Sequence, residues 1–167
     1  MNVTIERIKA LRDKCGAGIM ECRNALLQAE GDIDKAIEIL KQQSLIKVEK
    51  KKQRTAAQGL VEAYIHTGGR IGTIVELNCE TDFVTRTDEF KKLAHELAMQ
   101  VAACDPKCIS PEEMTKEADT EAQPTCLLLQ PYIRDPNKTI QDLINDTIAK
   151  LGENIKIARF ARFEVGG

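Results

Sequence analysis

The densest group of polar and reactive side chains is Asn78-Cys79-Glu80-Thr81-Asp82, placed where an alternating, strand-like pattern ends. Two nearby carboxylates could divide acid and base work, and the Cys79 thiol could serve as a nucleophile with His66 across a hairpin. Carboxylates at a strand end more often form turns and cap helices, so an enzyme built on Cys79, Glu80 and Asp82 is the weakest reading. The other cysteines are Cys15, Cys22, Cys104, Cys108 and Cys126; there is no C-x-x-C pair, and only His66 and His95 could assist them. A zinc site needs four convergent ligands, usually in close pairs. Reduced, core-filling thiols are therefore expected, with no metal and no cofactor. The sequence contains no Walker loop, dinucleotide fingerprint, H-E-x-x-H or G-x-S-x-G. Directly after the polar group stands Phe83, in a chain with four phenylalanines and no tryptophan. It has two readings: a core staple under the following helix, or an exposed interface anchor beside a carboxylate.

The elements that must position these residues follow from hydrophobic periodicity. Three short helices are expected first. One follows a Thr4 cap with Ile5, Ile8 and Leu11 on one stripe, and stops at Cys15-Gly16-Ala17-Gly18. The second carries Ile19, Cys22, Ala25, Leu26 and Ala29 and ends at Gly31. Asp32 caps a third, with Ile33, Ala36, Ile37 and Leu40 on its face. The period then changes. Val61, Ala63 and Ile65 alternate with Glu62, Tyr64 and His66, the turn Thr67-Gly68-Gly69-Arg70 follows, and Ile71, Thr73, Val75 and Leu77 line one face of a second strand. A helix from about Thr87 presents Phe90, Leu93, Ala94, Leu97, Ala98 and Val101, ending at Asp105-Pro106. Ser110-Pro111-Glu112-Glu113 opens another short helix, and residues 118–125 read as a polar surface loop. Leu127, Leu128 and Leu129 suggest a short buried strand. Thr139 caps a helix carrying Ile140, Leu143, Ile144, Ile148 and Leu151, closed by Gly152. Ile155, Ile157, Ala161, Phe163 and Val165 then alternate with Lys156, Arg162 and Glu164 in a third long strand. The fold class is α+β: a small three-helix N-terminal module, then an antiparallel sheet of about three strands with helices packed on it.

Composition bounds the function. At 167 residues and 43% hydrophobic content the chain can bury a real core, and no apolar run approaches the ~18 residues that cross a bilayer. The N-terminus has neither a secretory nor a transit pattern, so a cytoplasmic protein with no membrane contact is expected. The net charge of −2 hides an asymmetry. Residues 1–54 carry 12 basic and 8 acidic residues, while residues 55–167 carry 12 and 18. The shift falls at Lys47, Lys50, Lys51, Lys52 and Arg54, which read as a basic helical tail or linker over about 47–58. Domains of 1–54 and 55–167 are expected. No aromatic interleaves this lysine cluster, so direct nucleic-acid binding is not expected.

Several separated segments resemble one family. CETDFVTRTDEF at 79–90 resembles the signature segment of translation elongation factor Ts. CGAGIMECRNALLQAEGDIDKAIEIL at 15–40 is similar to that family's ubiquitin-associated-like module, and GLVEAYIHTGGRIGTIVELNCETDFV at 59–84 to the start of its core. LLLQPYIRD at 127–135 and GENIKIARFARFEVGG at 152–167 resemble its closing segments. The resemblance implies a guanine-nucleotide exchange factor, not an enzyme, that binds elongation factor Tu in its GDP form. It implies that Thr81, Asp82, Phe83 and Val84 approach the partner's Mg²⁺ site, where the aromatic wedges in and the ion is dislodged. It also implies partner contact by the N-terminal module, placed here at Gly18, Ile19 and Met20, and docking of the core on the C-terminal portion of elongation factor Tu. Between Glu113 and Cys126 the chain is short where longer members carry a helical hairpin and a duplicated core half, which implies a homodimer. Leu129 stands where an acidic residue is common, and Thr85 where alanine is. The rival class is a protein-binding adaptor using the three-helix module alone.

Overall fold

In a computed structural model, residues 3–113 and 125–167 are described. The chain divides into two compact units, Met1–Lys50 and Lys51–Gly167.

The first unit is built on three helices: α1 (Ile5–Cys15), α2 (Ile19–Gln28) and α3 (Ile33–Lys52), the last running into the second unit's range. Local chemistry sets their ends. The Thr4 hydroxyl accepts from the Arg7 amide, and Asp32 accepts from the amides of Asp34 and Lys35. Gly16 ends α1 in the left-handed region at φ 67°, where a Cβ would be strained. Leu11, Cys22, Ala25, Leu26, Ala29, Ala36 and Leu40 form the core. Ile5 and Ile19, expected on the apolar stripes, are exposed instead. Both sit in the first turn of their helices, at the rim of a core only seven buried residues large.

The second unit holds an antiparallel sheet in the order β1-β2-β5, with β1 Gln58–Ile65, β2 Ile71–Cys79 and β5 Ile155–Glu164. Between β2 and β5 run α4 (Asp82–Thr85), α5 (Asp88–Cys104), a small hairpin of β3 (Pro131–Tyr132) and β4 (Asp135–Thr139), and α6 (Ile140–Leu151). Thr73, Val75, Leu77 and Cys79 of β2 are buried on one face, beneath α5. The buried Thr73 hydroxyl donates to the Ala98 carbonyl at 2.8 Å. Thr139 and Asp142 form a capping box on α6, and Gly152 ends it at φ 81°.

Two strands face the other way from their apolar pattern. In β1 it is Leu60, Glu62 and Tyr64 that turn to the helices, leaving Val61, Ala63 and Ile65 on the open face. Polar partners on α5 explain this: Glu62 meets His95 at 3.0 Å and Tyr64 stacks edge-on against the same ring. In β5 the register to β2 shifts between Arg159 and Ile157, so Ala158 is an extra residue. Ile155 and Ile157 stay buried, while Ala161 and Phe163 swing to the open face. The odd-numbered alternation is broken by one residue. Arg162 takes the inner side and caps α5, donating to the Ala102 carbonyl.

Leu127–Leu129 is a turn of 3₁₀ helix, not a strand; only Leu127 is fully buried, and the following Gln130 amide closes on its carbonyl. The segment at Pro111–Glu113 is also 3₁₀, and its expected continuation lies outside the described residues, as does most of the expected loop at 118–125. The β3–β4 hairpin has no counterpart among the expected elements. Buried polar groups of α5 hold it: Glu96 receives Tyr132 Oη at 2.6 Å and pairs with Arg134, while Gln100 Oε1 accepts from the Ile133 amide. Burial, then the Glu96 carboxylate, pushes the Tyr132 hydroxyl up to about 12. Among the described residues no buried side-chain nitrogen or oxygen lacks a partner.

Candidate functional site

The polar group that ends β2 forms a tight corner. The Thr81 amide donates to Glu153 Oε2 at 2.9 Å and its hydroxyl to Glu153 Oε1 at 2.5 Å. The Thr81 carbonyl accepts the Cys79 thiol at 3.1 Å. One residue back, Glu80 Oε1 accepts from the Asn154 amide at 2.6 Å and lies 3.7 Å from the Arg54 guanidinium. Asn154 is buried and its side-chain amide donates to the Lys52 and Arg54 carbonyls. Thus Glu153 and Asn154, in the turn after α6, reach across 72 and 74 residues to fix Thr81 and Glu80.

From that anchor the chain enters α4. Its side chains divide sharply. Val84 is 7% exposed and packs inward, whereas Phe83 is 74% exposed. The core-staple role belongs instead to Phe90, fully buried in α5. Asp82 makes an i,i+4 ion pair with Arg86 at 2.7 Å, and Thr85 Oγ1 donates to the Asp82 carbonyl. So Thr81, Asp82, Phe83 and Val84 come together as an anchored corner that aims one bare aromatic ring at solvent beside a carboxylate.

This geometry leaves little for nucleophilic chemistry. Cys79 is buried, and burial first, then the Glu153 carboxylate, pushes its thiol up to about 11, so it stays protonated near neutrality. His66 lies at the far end of the hairpin, where its Nδ1 meets Tyr64 Oη; the residue opposite Cys79 is Gln58. The separation is on the order of 25 Å at ~3.3 Å per residue. Glu80 and Asp82 are each committed to a cation or an amide. Among the described residues no group of three or more His, Cys, Asp or Glu could hold a metal ion. No described helix is long and apolar enough to cross a membrane.

Gly18, Ile19 and Met20 form a second, separate display. Gly18 precedes α2 and its amide donates to Glu21 Oε2 at 3.1 Å, while Ile19 and Met20 are exposed. Lys47 Nζ hydrogen-bonds Glu21 Oε1, and together with the Gly18 amide it holds the Glu21 carboxyl below its usual range.

The sequence matches the family model for elongation factor Ts over residues 22–123. It is 49% identical to elongation factor Ts of Caldanaerobacter subterraneus subsp. tengcongensis, with 98% of this chain and 97% of the relative covered. Elongation factor Ts of Thermoanaerobacter sp. (strain X514) is 47% identical over 98% and 95% of the two chains. The chain belongs to the elongation factor Ts family. It is therefore a translation elongation factor. A third member, from Carboxydothermus hydrogenoformans, is 45% identical over 98% and 89%. These alignments run over 194 positions against a chain of 167 residues, so the relatives carry residues with no counterpart here.

The residues that sequence reasoning missed are Glu153 and Asn154. They lie in GENIKIARF, a segment that carries the family resemblance but no motif of its own. A glutamate and an asparagine just past a helix-ending glycine are polar groups close to a chain reversal. Only the folded chain shows what they grip.

Proposed function

We propose that this chain is the guanine-nucleotide exchange factor for elongation factor Tu, binding its GDP form in the cytoplasm and promoting GDP release. The observation that carries the reading is the exposure of Phe83 beside Val84, which is buried. An aromatic ring left bare on a backbone anchored at Thr81 is a preformed wedge, because the backbone that carries it is already ordered before insertion. Asp82 supplies oxygen acceptors next to it. Mg²⁺ on a nucleotide is held by few protein ligands in near-ideal octahedral geometry, so small displacements of those ligands weaken it. Weaker Mg²⁺ binding lowers the partner's nucleotide affinity, and by linkage GDP lowers the partner's affinity for this chain. The chain needs no nucleophile or bound metal for this work, since the bonds broken are non-covalent and belong to the partner. Ile19 and Met20, beside Gly18, form a second contact with elongation factor Tu, and residues 1–54 and 55–167 act as the two gripping modules.

Stopped-flow release of a fluorescent GDP analogue from elongation factor Tu tests the wedge. Phe83→Ala should lower the maximal rate steeply while the chain stays folded; an unchanged rate sinks the assignment.

The active form is a homodimer. Val61, Ala63, Ile65, Ile74, Ala161 and Phe163 make a continuous apolar face on the sheet, opposite the helices. Ile65, Ile74, Phe163 and Val165 also line a shallow hollow of about 360 Å³ there. Three strands spaced ~4.8 Å apart give an apolar patch of a few hundred Å², a size that marks interaction sites on soluble proteins. A second copy covering it face to face would bury it by two-fold symmetry. Sedimentation of the full chain should give a dimer, and Phe163→Asp a monomer; a monomeric wild type at micromolar concentration overturns this.

A further inference from the structure

Phe83 has little packing of its own to set its direction, so its neighbours must. It is 74% exposed, and its carbonyl accepts from the Arg86 amide at 3.3 Å. The polar long-range anchor before it is Thr81, all three of whose polar groups are engaged: amide and hydroxyl by Glu153, carbonyl by the Cys79 thiol; after it, the buried Val84 side chain pins α4 by packing. Thr81 is extended at φ −128° and ψ 156°, and α4 starts at the next residue. Two residues span at most ~7 Å, so a ~30° rotation about Thr81 would swing Phe83 Cα, and the ring with it, by up to about 3.6 Å. A misplacement of ~1 Å is already enough to impair a positioned functional group.

Glu153 is itself braced. Gly152 ends α6 in the left-handed region, and Asn154 is held by Glu80 and by the Lys52 and Arg54 carbonyls. The two segments clasp each other in crossed fashion, Glu153 gripping Thr81 while Glu80 grips Asn154. Charge-assisted bonds from a carboxylate to an amide and a hydroxyl are about twice as strong as neutral ones.

We propose that Glu153 is a positioning residue for nucleotide exchange: its carboxylate, holding the amide and hydroxyl of Thr81, fixes the direction in which Phe83 projects. This rests on the reading of Phe83 as the wedge. The residue touches neither nucleotide nor ion. It acts through Thr81.

The test measures GDP release from elongation factor Tu over a range of concentrations of the full chain, separating maximal rate from half-saturating concentration. Glu153→Ala should lower the maximal rate about tenfold while half-saturation moves by no more than ~3-fold, because the docking surfaces are intact. Glu153→Gln should retain most of the rate, since its amide can accept from the Thr81 N–H and donate to a reversed hydroxyl. Adding Glu153→Ala to Phe83→Ala should slow release no further, as the ring it aims is gone. If Phe83→Ala is slow and Glu153→Ala is not, the clamp is wrong and the wedge stands. If Phe83→Ala releases GDP at the wild-type rate, the wedge reading itself falls. Equal slowing by Glu153→Ala in both backgrounds also overturns the proposal. Should Glu153→Ala fail to fold, Thr81→Val removes the hydroxyl bond alone and should give a smaller loss of maximal rate; no loss refutes the clamp.

Discussion

Two corners of this chain display apolar residues at the start of a helix, and they are built differently. The turn before α2 shows Ile19 and Met20, and nearly everything that shapes it is close in sequence. Glycines 16 and 18 bend it, Glu21 takes the Gly18 amide, and Cys15 and Cys22 meet at 3.9 Å across it. Lys47 reaches it from afar, through Glu21. The corner before α4 shows Phe83 and is held by Glu153 and Asn154 from 72 and 74 residues away. A locally held turn can adjust to a partner at little cost to the rest of its unit. A corner clasped by a distant segment moves only if that segment moves. The first suits a contact that adapts, and the second suits a wedge that must not yield.

Variants can break or sharpen this contrast. The largest effect belongs to a pair of phenylalanines seven residues apart. Phe90→Ala, which empties a buried site, should cost ~3–5 kcal/mol of stability in denaturant unfolding. Phe83→Ala should cost under ~0.5 kcal/mol, yet lose ~2–4 kcal/mol of exchange, a fall of roughly 30- to 1000-fold in maximal GDP release. If the two behave alike in unfolding, Phe83 is not a free display. At the adaptable turn, Met20→Ala should raise the half-saturating concentration by about fivefold and leave the maximal rate unchanged, the mark of uniform binding lost. A fall in maximal rate there would erase the distinction between the corners.

The smallest effect is electrostatic. Lys47 and the Gly18 amide lower the Glu21 carboxyl below its ordinary value of 4.5. A group with a depressed folded pKa contributes stability that is present above the unfolded value and lost as pH falls through the folded one. Stability of the three-helix unit should therefore decline below about pH 4.5, and Glu21→Gln should flatten that decline. The group is largely exposed, so the difference should stay below ~0.5 kcal/mol and shrink with added salt. Thermal melts of the full chain at pH 3 to 6, followed in both variants, would show it.

Helix limits were legible in the sequence because caps are local. Thr4, Asp32, Thr87, Thr139 and Gly152 all sit within four residues of the groups they satisfy. The faces of β1 and β5 were harder to read. Alternation at Val61, Ala63 and Ile65 announces a strand, but it does not say which side the helices cover. Here Glu62 and Tyr64 win the inner side through His95. In β5 one extra residue at Ala158 reverses the phase, and a run such as Ala158-Arg159-Phe160-Ala161 gives no warning of it. The Leu127–Leu129 run has apolar residues enough for a strand, but the Gln130 amide closes on Leu127 and makes a turn. At the candidate site the segment 79–84 stood out by residue type, and the exposure of Phe83 did not follow from it. The Glu153 clamp could not be read at all, because nothing local to Thr81 points to a carboxylate 72 residues on.

That distance bears on how the molecule comes into being. A growing chain makes Thr81 72 residues before the carboxylate that fastens it. Until the turn after α6 has been synthesised and docked, Thr81 has no carboxylate to hold it. Nascent or C-terminally truncated chains would carry the Phe83 ring on an untethered loop while α1 to α3 are already complete. On the proposed reading, such chains would gain a fixed wedge only once Glu153 has docked on Thr81.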